Sequence, residues 1–294
     1  SGFKTGVSYV DDLPKDDYRW LNSLDGYGAY SDSIGGRFTF EAAPLFDWVE
    51  AEIFYLQQPG GGTINIDYPT NITPTPSVLT DGEIAIKSVS IKRLVKGSSV
   101  DDLSCRINNL SLDGKVCVYG IVFKSGDGGP VWVNSSKGGQ KTETFIERSA
   151  AQQVEWYKKL GVTSAIINGG MNDRSSATPA QFEGYLSEAC SRIASANSIA
   201  NIYIVRPNEP SNDGLAQFDG AYLSVAELYG EYLDFRSGTF SQMDSAGLML
   251  DDEHPEKNYQ WLMAQKACSA LFGRGRWVDT PALVDYTSNP SDPQ

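Results

Sequence analysis

The single histidine of the chain lies in an acidic turn that could carry out proton transfer. His254 is the only imidazole among 294 residues, and it follows Asp251, Asp252 and Glu253 and precedes Pro255. Imidazole changes its charge closer to neutral pH than any other side chain. A carboxylate three residues earlier on a turn can reach the ring, fix its tautomer and support the imidazolium that forms. The spacing favours Asp251 over Asp252 for this role, and a solvated acidic turn is the alternative interpretation.

Two glycine-containing loops offer donors for an oxyanion. Residues 134–142 (NSSKGGQKT) precede a predicted helix, where a glycine lets a backbone N–H face an anion. Asn172 follows Gly169 and Gly170, and a side-chain amide held on such a turn can donate to a developing negative charge. The plainer interpretations are a strand-to-helix turn at residues 138–139 and a helix N-cap at residues 172–173.

The predicted secondary structure that would position these loops changes in type near residue 130. Before it, apolar residues alternate between turns rich in Gly, Pro, Asn and Asp, which predicts an antiparallel β-sandwich. Its predicted strands are residues 37–40, 49–56, 63–68, 84–86, 89–91, 105–107 and 116–123.

After residue 130 strands alternate with helices, which predicts a parallel sheet covered on both faces. The predicted strands are residues 130–133, 162–168, 202–205 and 247–250, and the predicted helices are residues 142–160, 178–195, 222–235 and 258–272. Gly161 is expected to end the first helix. The three loops above follow predicted strands, and reactive groups in such sheets lie at the carboxyl ends of strands.

Composition narrows the function classes. Apolar residues make up 40% and aromatic residues 11% of the chain, which is enough for a buried core, and the formal net charge is −13. So acidic a surface repels nucleic acid and anionic lipid. No apolar run approaches the roughly 20 residues of a membrane helix, and no signal peptide is visible.

The four cysteines predict neither a metal site nor a disulfide framework. No CxxC pair is present, and a single histidine makes a zinc site improbable. Cys190 and Cys268 are expected to be buried small hydrophobes, while a Cys105–Cys117 disulfide between neighbouring strands is an alternative left open. This usage is typical of a reducing cytoplasm.

The second half of the chain resembles an SGNH hydrolase, the GDSL-type esterase group. Residues 134–142 resemble its second block, residues 170–173 match its Gly-x-Asn-Asp block, and residues 251–255 match its Asp-x-x-His-Pro block. The resemblance implies a flavodoxin-like three-layer α/β domain over residues 129–294, without cofactor or metal. It implies His254 as general base, Asp251 as its orienting acid, and the Gly139 N–H and Asn172 amide as the oxyanion hole.

The first half resembles a galactose-binding-like sandwich. Residues 30–36 leading into a strand, and residues 56–62, carry this resemblance, which implies a jelly-roll, carbohydrate-binding-like domain over residues 30–128 after a leading segment or linker, residues 1–29. The aromatic side chains that could form a sugar platform are Tyr27, Tyr30, Trp48 and Tyr55, with packing in the sandwich core as the alternative.

Together the two halves are similar to bacteriophage tailspike esterases. This resemblance implies a carbohydrate O-acetylesterase whose partner is an acetylated polysaccharide. It also implies a location in the virion tail or otherwise facing the cell surface, and by analogy a homotrimer.

The nucleophile is where the chain departs from the family, whose first block ends in Gly-Asp-Ser. No Gly-Asp-Ser occurs here, and Ser33 in Ser-Asp-Ser-Ile is the nearest candidate. Residues 7–13 form a better strand but place Leu13 where the serine belongs, which would leave a glycan-binding module without catalysis. We expect instead that the block lies upstream of Ser1, and that an upstream segment or residues 3–10 complete the parallel sheet.

Three rival functions remain from the sequence. The first is a glycan-binding adhesin module on the same fold, and the second is a purely structural role in a tail fibre. A glycosidase that uses only carboxylates is the third, although no pair of acids is singled out by the sequence.

Overall fold

The protein combines an antiparallel sheet with a parallel sheet and its helices. The computed structural model describes residues 4–5, 8–24, 28–41, 48–67, 77–92, 106–125, 133, 135, 139–211 and 214–272. The chain divides into two compact units: unit 1 comprises residues 1–162 and 195–198, and unit 2 comprises residues 163–194 and 199–294. The mixed α/β class predicted from the sequence is confirmed at this level.

Unit 1 contains eight described strands, which pair antiparallel in the order β1-β3-β8-β4-β7, with β2 on β3, β5 on β8 and β6 on β5. Their bounds are β1 Lys4–Thr5, β2 Ser8–Tyr9, β3 Ala29–Glu41, β4 Trp48–Gln57, β5 Thr63–Asp67, β6 Ser77–Leu79, β7 Ala85–Lys92 and β8 Arg106–Ser125. A 3-10 turn at Val10–Asp12 and the short helix α1, Tyr18–Leu21, lie between β2 and β3.

Strand β8 joins these strands into one network. One of its edges pairs with β3, while the other pairs with β5 near Leu112 and with β4 from Cys117 onward. The prediction of separate strands at residues 105–107 and 116–123 is therefore wrong. The residues between them look like a turn in the sequence, but their backbone is paired with neighbouring strands. Gly114, at φ +90°, lies opposite Ser33 at a β-bulge. The sandwich arrangement stays a prediction.

The first residues of the chain belong to this antiparallel sheet. Lys4–Thr5 and Ser8–Tyr9 both pair with β3. Residues 4–5 and 8–9 therefore do not complete the parallel sheet, which corrects one of the two expected arrangements. The predicted strand 7–13 is also wrong in extent, because the chain turns into the 3-10 turn at Val10, whose side chain is fully buried.

Helices α2 (Thr142–Ile146) and α3 (Ala150–Leu160) replace the single helix predicted over residues 142–160. Ser149 interrupts it, because its side chain accepts from the Gln152 N–H and caps α3. Gly161 ends α3 at φ +61°, as predicted. The Trp156 indole donates to the Asn22 carbonyl at 2.9 Å, so α3 packs within unit 1. The predicted domain ranges 1–29, 30–128 and 129–294 stay a prediction.

Unit 2 is built on a parallel sheet in the order β11-β10-β9. The strands are β9 Ser164–Asn168, β10 Asn201–Arg206 and β11 Glu231–Asp234, and the helices are α4 Pro179–Ala196, α5 Asp219–Tyr229, α6 Phe240–Ser245 and α7 Lys257–Phe272. Its core is formed by buried apolar side chains from the sheet and helices, including Phe182, Leu186, Ile204, Val205, Phe218, Tyr222 and Val225.

Two predictions in unit 2 are wrong. The helix expected over residues 222–235 ends at Tyr229, and Gly230 leads into β11, which pairs in parallel with β10. The strand expected over residues 247–250 does not form, since Met249 makes only an isolated bridge with Pro255. The Asp251–His254 turn therefore follows a short bridged loop and not a strand of the parallel sheet.

The two neighbouring strands of the parallel sheet differ in burial. Residues 202–206 of β10 are all buried, whereas Ala165, Ile166 and Ile167 of β9 are only half-buried. Among the described residues, β10 is the strand that pairs with β9. The predicted strand 130–133 lies outside the described residues except for Val133.

Burial makes two of the cysteine thiols difficult to ionise. Cys117 and Cys190 are buried free thiols, and burial raises the pKa of each to about 12. Cys268 is a half-buried free thiol, whereas Cys105 lies outside the described residues. In the described part of the chain, no helix is both long and apolar enough to cross a membrane.

Candidate active site

The structure brings His254 and Asp251 together on one exposed turn. The His254 Nδ1 lies 2.9 and 3.0 Å from the two carboxylate oxygens of Asp251. Because an ionised carboxylate only accepts hydrogen bonds, Nδ1 carries a proton here, and in the neutral ring the lone pair is then on Nε2. The His254 side chain is 69% exposed.

Asp251 is held as an anion by its own turn. The backbone N–H groups of His254 and Glu253 donate to its Oδ1 at 2.7 and 2.8 Å. These two bonds, with the imidazole after them, lower the pKa of Asp251 to about 2. Asp251 therefore stays ionised at any pH at which the imidazole could act as a base. The sequence had favoured Asp251 over Asp252 for this contact.

The loop after β10 holds the histidine turn through two hydrogen bonds to its backbone. The Ser211 N–H donates to the Asp252 carbonyl at 2.9 Å, and the Asn208 side-chain amide donates to the Glu253 carbonyl at 3.1 Å. Asn208 is 4% exposed. The turn that carries the imidazole is thus fixed by two bonds to its backbone, which is the support that a preorganised site needs.

Asn172 lies half-buried on the turn that follows β9. Gly170 opens this turn at φ +102°, and a Cβ there would lie 2.1 Å from the Tyr222 hydroxyl oxygen. That hydroxyl donates to the Gly169 carbonyl at 2.7 Å, and the buried Asp173 carboxylate accepts from the Gly170 N–H at 3.2 Å. The packing therefore requires glycine at position 170, and Asp173 holds the turn itself instead of capping α4.

An ion pair joins this turn to the histidine turn. The Arg174 Nη2 contacts the Glu253 Oε1. Arg174 comes two residues after Asn172, and Glu253 immediately precedes His254. The predicted oxyanion donor Asn172 and the predicted base His254 thus stand on two directly linked turns of unit 2.

Gly139 lies in unit 1, in an exposed turn ahead of α2 at φ +74°. The next residue, Gln140, is anchored by its side-chain oxygen, which accepts from the Arg148 guanidinium at 3.1 and 3.2 Å. Asn134 and Gly138 of the same predicted block lie outside the described residues. The role of Gly139 as an oxyanion donor stays a prediction.

The weak nucleophile candidate Ser33 lies in the antiparallel sheet of unit 1. It is an exposed residue of β3 paired with Gly114 at a bulge, and its N–H donates to Ser31 Oγ at 3.3 Å. It stands in an antiparallel strand and not at the carboxyl end of a parallel one. The role of Ser33 as nucleophile stays a prediction.

The structure describes two of the four aromatic side chains predicted to form a sugar platform. Neither of the two rings is fully exposed to solvent. Tyr55 is 8% exposed and packs in the core of unit 1. Tyr30 is half-buried, and the Arg19 guanidinium carbon lies 4.2 Å from its ring centroid. The ring of Tyr27 and the side chain of Trp48 lie outside the described residues.

Sequence reasoning missed a buried charged network at the carboxyl ends of β10 and β11. Arg206 has no exposed surface, and its guanidinium pairs with Glu209 and, at 3.0 Å, with Asp219. Asp219 also pairs with Arg236 at 3.0 Å. Arg206 additionally donates to the Pro207 carbonyl at 2.9 Å, so the network holds the loop that anchors the histidine turn. The signal available in the sequence was Arg206 itself, a charged residue at the end of an apolar strand.

No group of three or more metal-binding side chains is found among the described residues. The described side chains of unit 2 offer acid–base chemistry through an imidazole held by a carboxylate, and a side-chain amide on the adjoining turn.

The comparisons with known proteins bear on the fold. No family model and no curated protein sequence matches the chain. Among solved structures, a peptidoglycan O-acetylesterase superposes with a TM-score of 0.72 at 13% identity, covering 92% of this chain and 76% of that chain. The chain has the fold of this esterase. The esterase fold expected from three sequence blocks agrees with this likeness, which concerns the fold alone.

Two further solved structures give weaker superpositions. A GDSL-like lipase from Parabacteroides merdae matches with a TM-score of 0.39 at 17% identity, over 46% of this chain and 70% of that chain. A family two carbohydrate esterase from Clostridium thermocellum, in complex with cellohexaose, matches with a TM-score of 0.33 at 14% identity, over 90% of this chain and 98% of that chain.

Proposed function

We propose that this chain is the acid–base part of a carbohydrate O-acetylesterase with a Ser-His-Asp mechanism. The observation that carries the proposal is the Asp251–His254 pair, in which Nδ1 is bonded at 2.9 Å to a carboxylate and the imidazole side chain is 69% exposed. Its position on a turn linked to the turn of Asn172 supports the assignment, and the esterase fold makes acetyl-ester hydrolysis the expected reaction.

In the proposed reaction a serine hydroxyl attacks the acetyl carbonyl while His254 Nε2 takes its proton. The carbonyl oxygen becomes an oxyanion, for which the Asn172 amide and the Gly139 N–H are the proposed donors, each contributing on the order of 3 kcal/mol. The intermediate collapses, and the imidazolium gives the proton to the departing sugar oxygen, which leaves as a hydroxyl group. Water then attacks the acetyl-serine while His254 takes its proton. The imidazolium returns that proton to the serine oxygen as its bond to the acetyl group breaks, and acetic acid leaves and ionises to acetate.

We assign the nucleophile to a serine upstream of Ser1. The proposal rests on the sequence, in which no Gly-Asp-Ser string occurs among residues 1–294. Ser33 is not favoured, because it lies in the antiparallel sheet.

The finer expectations from the sequence belong to this proposal. They are an acetylated polysaccharide as substrate, a place in a phage tail or on another surface that faces cells, and a homotrimer. A glycan-binding module without catalysis is the competing function, and the outcome of the following experiment separates the two.

Acetate release from a chromogenic acetyl ester and from acetylated polysaccharides tests the proposal. The polypeptide that includes the upstream sequence is expected to release acetate, and His254→Ala to lose several orders of magnitude in turnover. Equal rates in the two proteins would end the assignment of His254 as base. Glycan binding without acetate release from either protein would favour the binding module.

A further inference from the structure

The ion pair between Arg174 and Glu253 is a direct side-chain connection between the two turns of the site. The Arg174 side chain is 12% exposed, whereas that of Glu253 is 41% exposed. A charge-assisted bond to a largely buried guanidinium is stronger and better defined in direction than an ion pair in water. The pair can therefore fix the distance between the turns.

Arg174 is held rigidly on its own turn. Its Nη1 donates to the Met171 sulfur at 2.8 Å, and its carbonyl accepts from the Gln217 side-chain amide at 3.0 Å. The same amide donates to the Gly214 carbonyl at 2.7 Å. The guanidinium thus extends from a braced turn and not from a free loop.

Hydrogen bonds also hold the backbone of Glu253 in the histidine turn. Its N–H donates to Asp251 at 2.8 Å, and its carbonyl accepts from the buried Asn208 amide at 3.1 Å. Any displacement of Glu253 moves His254, which is the next residue, and disturbs the N–H that holds Asp251. The ion pair is therefore placed to transmit position from one turn to the other.

We propose that Arg174 is a positioning residue that, through Glu253, sets the place of the His254 imidazole relative to the Asn172 amide. The proposal rests on the proposed function, in which these two groups act on one acetyl carbonyl. Errors of about 1 Å in such an arrangement cost on the order of 100-fold in rate. Arg174 does not touch the reacting atoms, and its effect passes through Glu253.

The single histidine provides a test that needs no enzyme activity. In a ¹H–¹³C NMR spectrum the imidazole gives one Cε1–H signal, and this signal must come from His254. We expect Arg174→Met and Glu253→Gln to shift or broaden it, and Arg174→Lys to move it less. The control Arg192→Met, which removes an i,i+4 ion pair with Glu188 on α4, should leave it in place.

Glu253→Gln keeps the test valid if Arg174→Met does not fold, because it changes a half-exposed side chain without removing its volume. An unchanged His254 signal in a folded Arg174→Met or Glu253→Gln protein would overturn the proposal. A shift of equal size in Arg192→Met would also overturn it, since the effect would then be general.

Turnover of an acetyl ester by the longer polypeptide supplies the second readout. Arg174→Met is expected to lower kcat by about 10–100-fold with KM within about twofold, and Arg174→Lys to recover part of the loss. A rise in KM alone would contradict positioning. If His254→Ala retains full turnover, the proposed function fails, whereas the NMR result still decides whether Arg174 positions the imidazole.

Discussion

At the scale of single residues, the site depends on the carboxylate that orients the imidazole. Replacing Asp251 with Asn removes the acceptor at Nδ1 and lets the ring adopt the other tautomer, so we expect kcat to fall by about 10²–10⁴-fold. Asp252→Asn removes the same charge one residue later and is the matched control, with kcat expected within about threefold. Comparable losses in the two variants would show that charge, and not the contact with His254, is what matters.

The pH dependence of this carboxylate follows from its lowered pKa. Since the pKa of Asp251 falls from 3.8 to about 2, its bonds to the turn are complete above about pH 4 and are lost as the pH falls towards 2. A ¹³C NMR titration of the side-chain carboxyl groups should therefore place the midpoint of Asp251 near pH 2. A midpoint for Asp251 near 3.8 would contradict the assigned ionisation.

Gly170 is the second residue on which the site depends. Gly170→Ala places a methyl group 2.1 Å from the Tyr222 hydroxyl at a φ of +102°, so we expect the free energy of unfolding to fall by about 1–3 kcal/mol. Gly184→Ala, at a position on α4 where nothing lies within 4 Å, should instead raise it by about 0.5–1 kcal/mol. Urea denaturation measures both, and a neutral Gly170→Ala would refute the tight approach.

At the scale of elements, sequence periodicity predicts those that carry their own signals. Helix α4 has a proline at its first position, strand β10 is a short apolar run, and α7 follows the acidic turn, and all three form close to the expected residues. Glycine at position 161 likewise ends α3 as expected.

Elements whose state depends on distant partners were missed. Strand β11 was read as the end of a helix, because its pairing with β10 is a tertiary contact that local periodicity does not record. The Leu248–Leu250 run looks like a strand, yet Leu248 and Met249 pack with Met243 and Tyr259 in a local apolar cluster. Three-residue spacing was enough to predict the Asp251–His254 contact, whereas the Arg174–Glu253 pair joins residues that are far apart in sequence.

At the scale of the whole molecule, the net charge of −13 predicts which substrates approach easily. At low ionic strength an anionic glycan is repelled, and salt screens this repulsion. We expect kcat/KM for an acetylated glycan containing carboxylates to rise as salt increases from about 10 to 200 mM, while that for a neutral acetylated glycan stays constant. Faster turnover of the anionic glycan at low salt would contradict this account.

The proposed mechanism leaves one group to be found, the serine that His254 would activate. The likeness to a peptidoglycan O-acetylesterase, at a TM-score of 0.72 and 13% identity, speaks for the fold and not for a particular sugar. The identity of the glycan therefore depends on experiments with defined substrates, whereas the catalytic mechanism can be tested directly.

The most direct measurement is fluorophosphonate labelling of the polypeptide that includes the upstream sequence, followed by mass spectrometry. Only a serine activated by a neighbouring base attacks the phosphorus and expels fluoride at an appreciable rate. The account predicts one labelled serine upstream of Ser1 and loss of the label in His254→Ala. Labelling that persists without His254, or the absence of any labelled serine in an otherwise folded protein, would contradict the claim that His254 is the base of a Ser-His-Asp esterase.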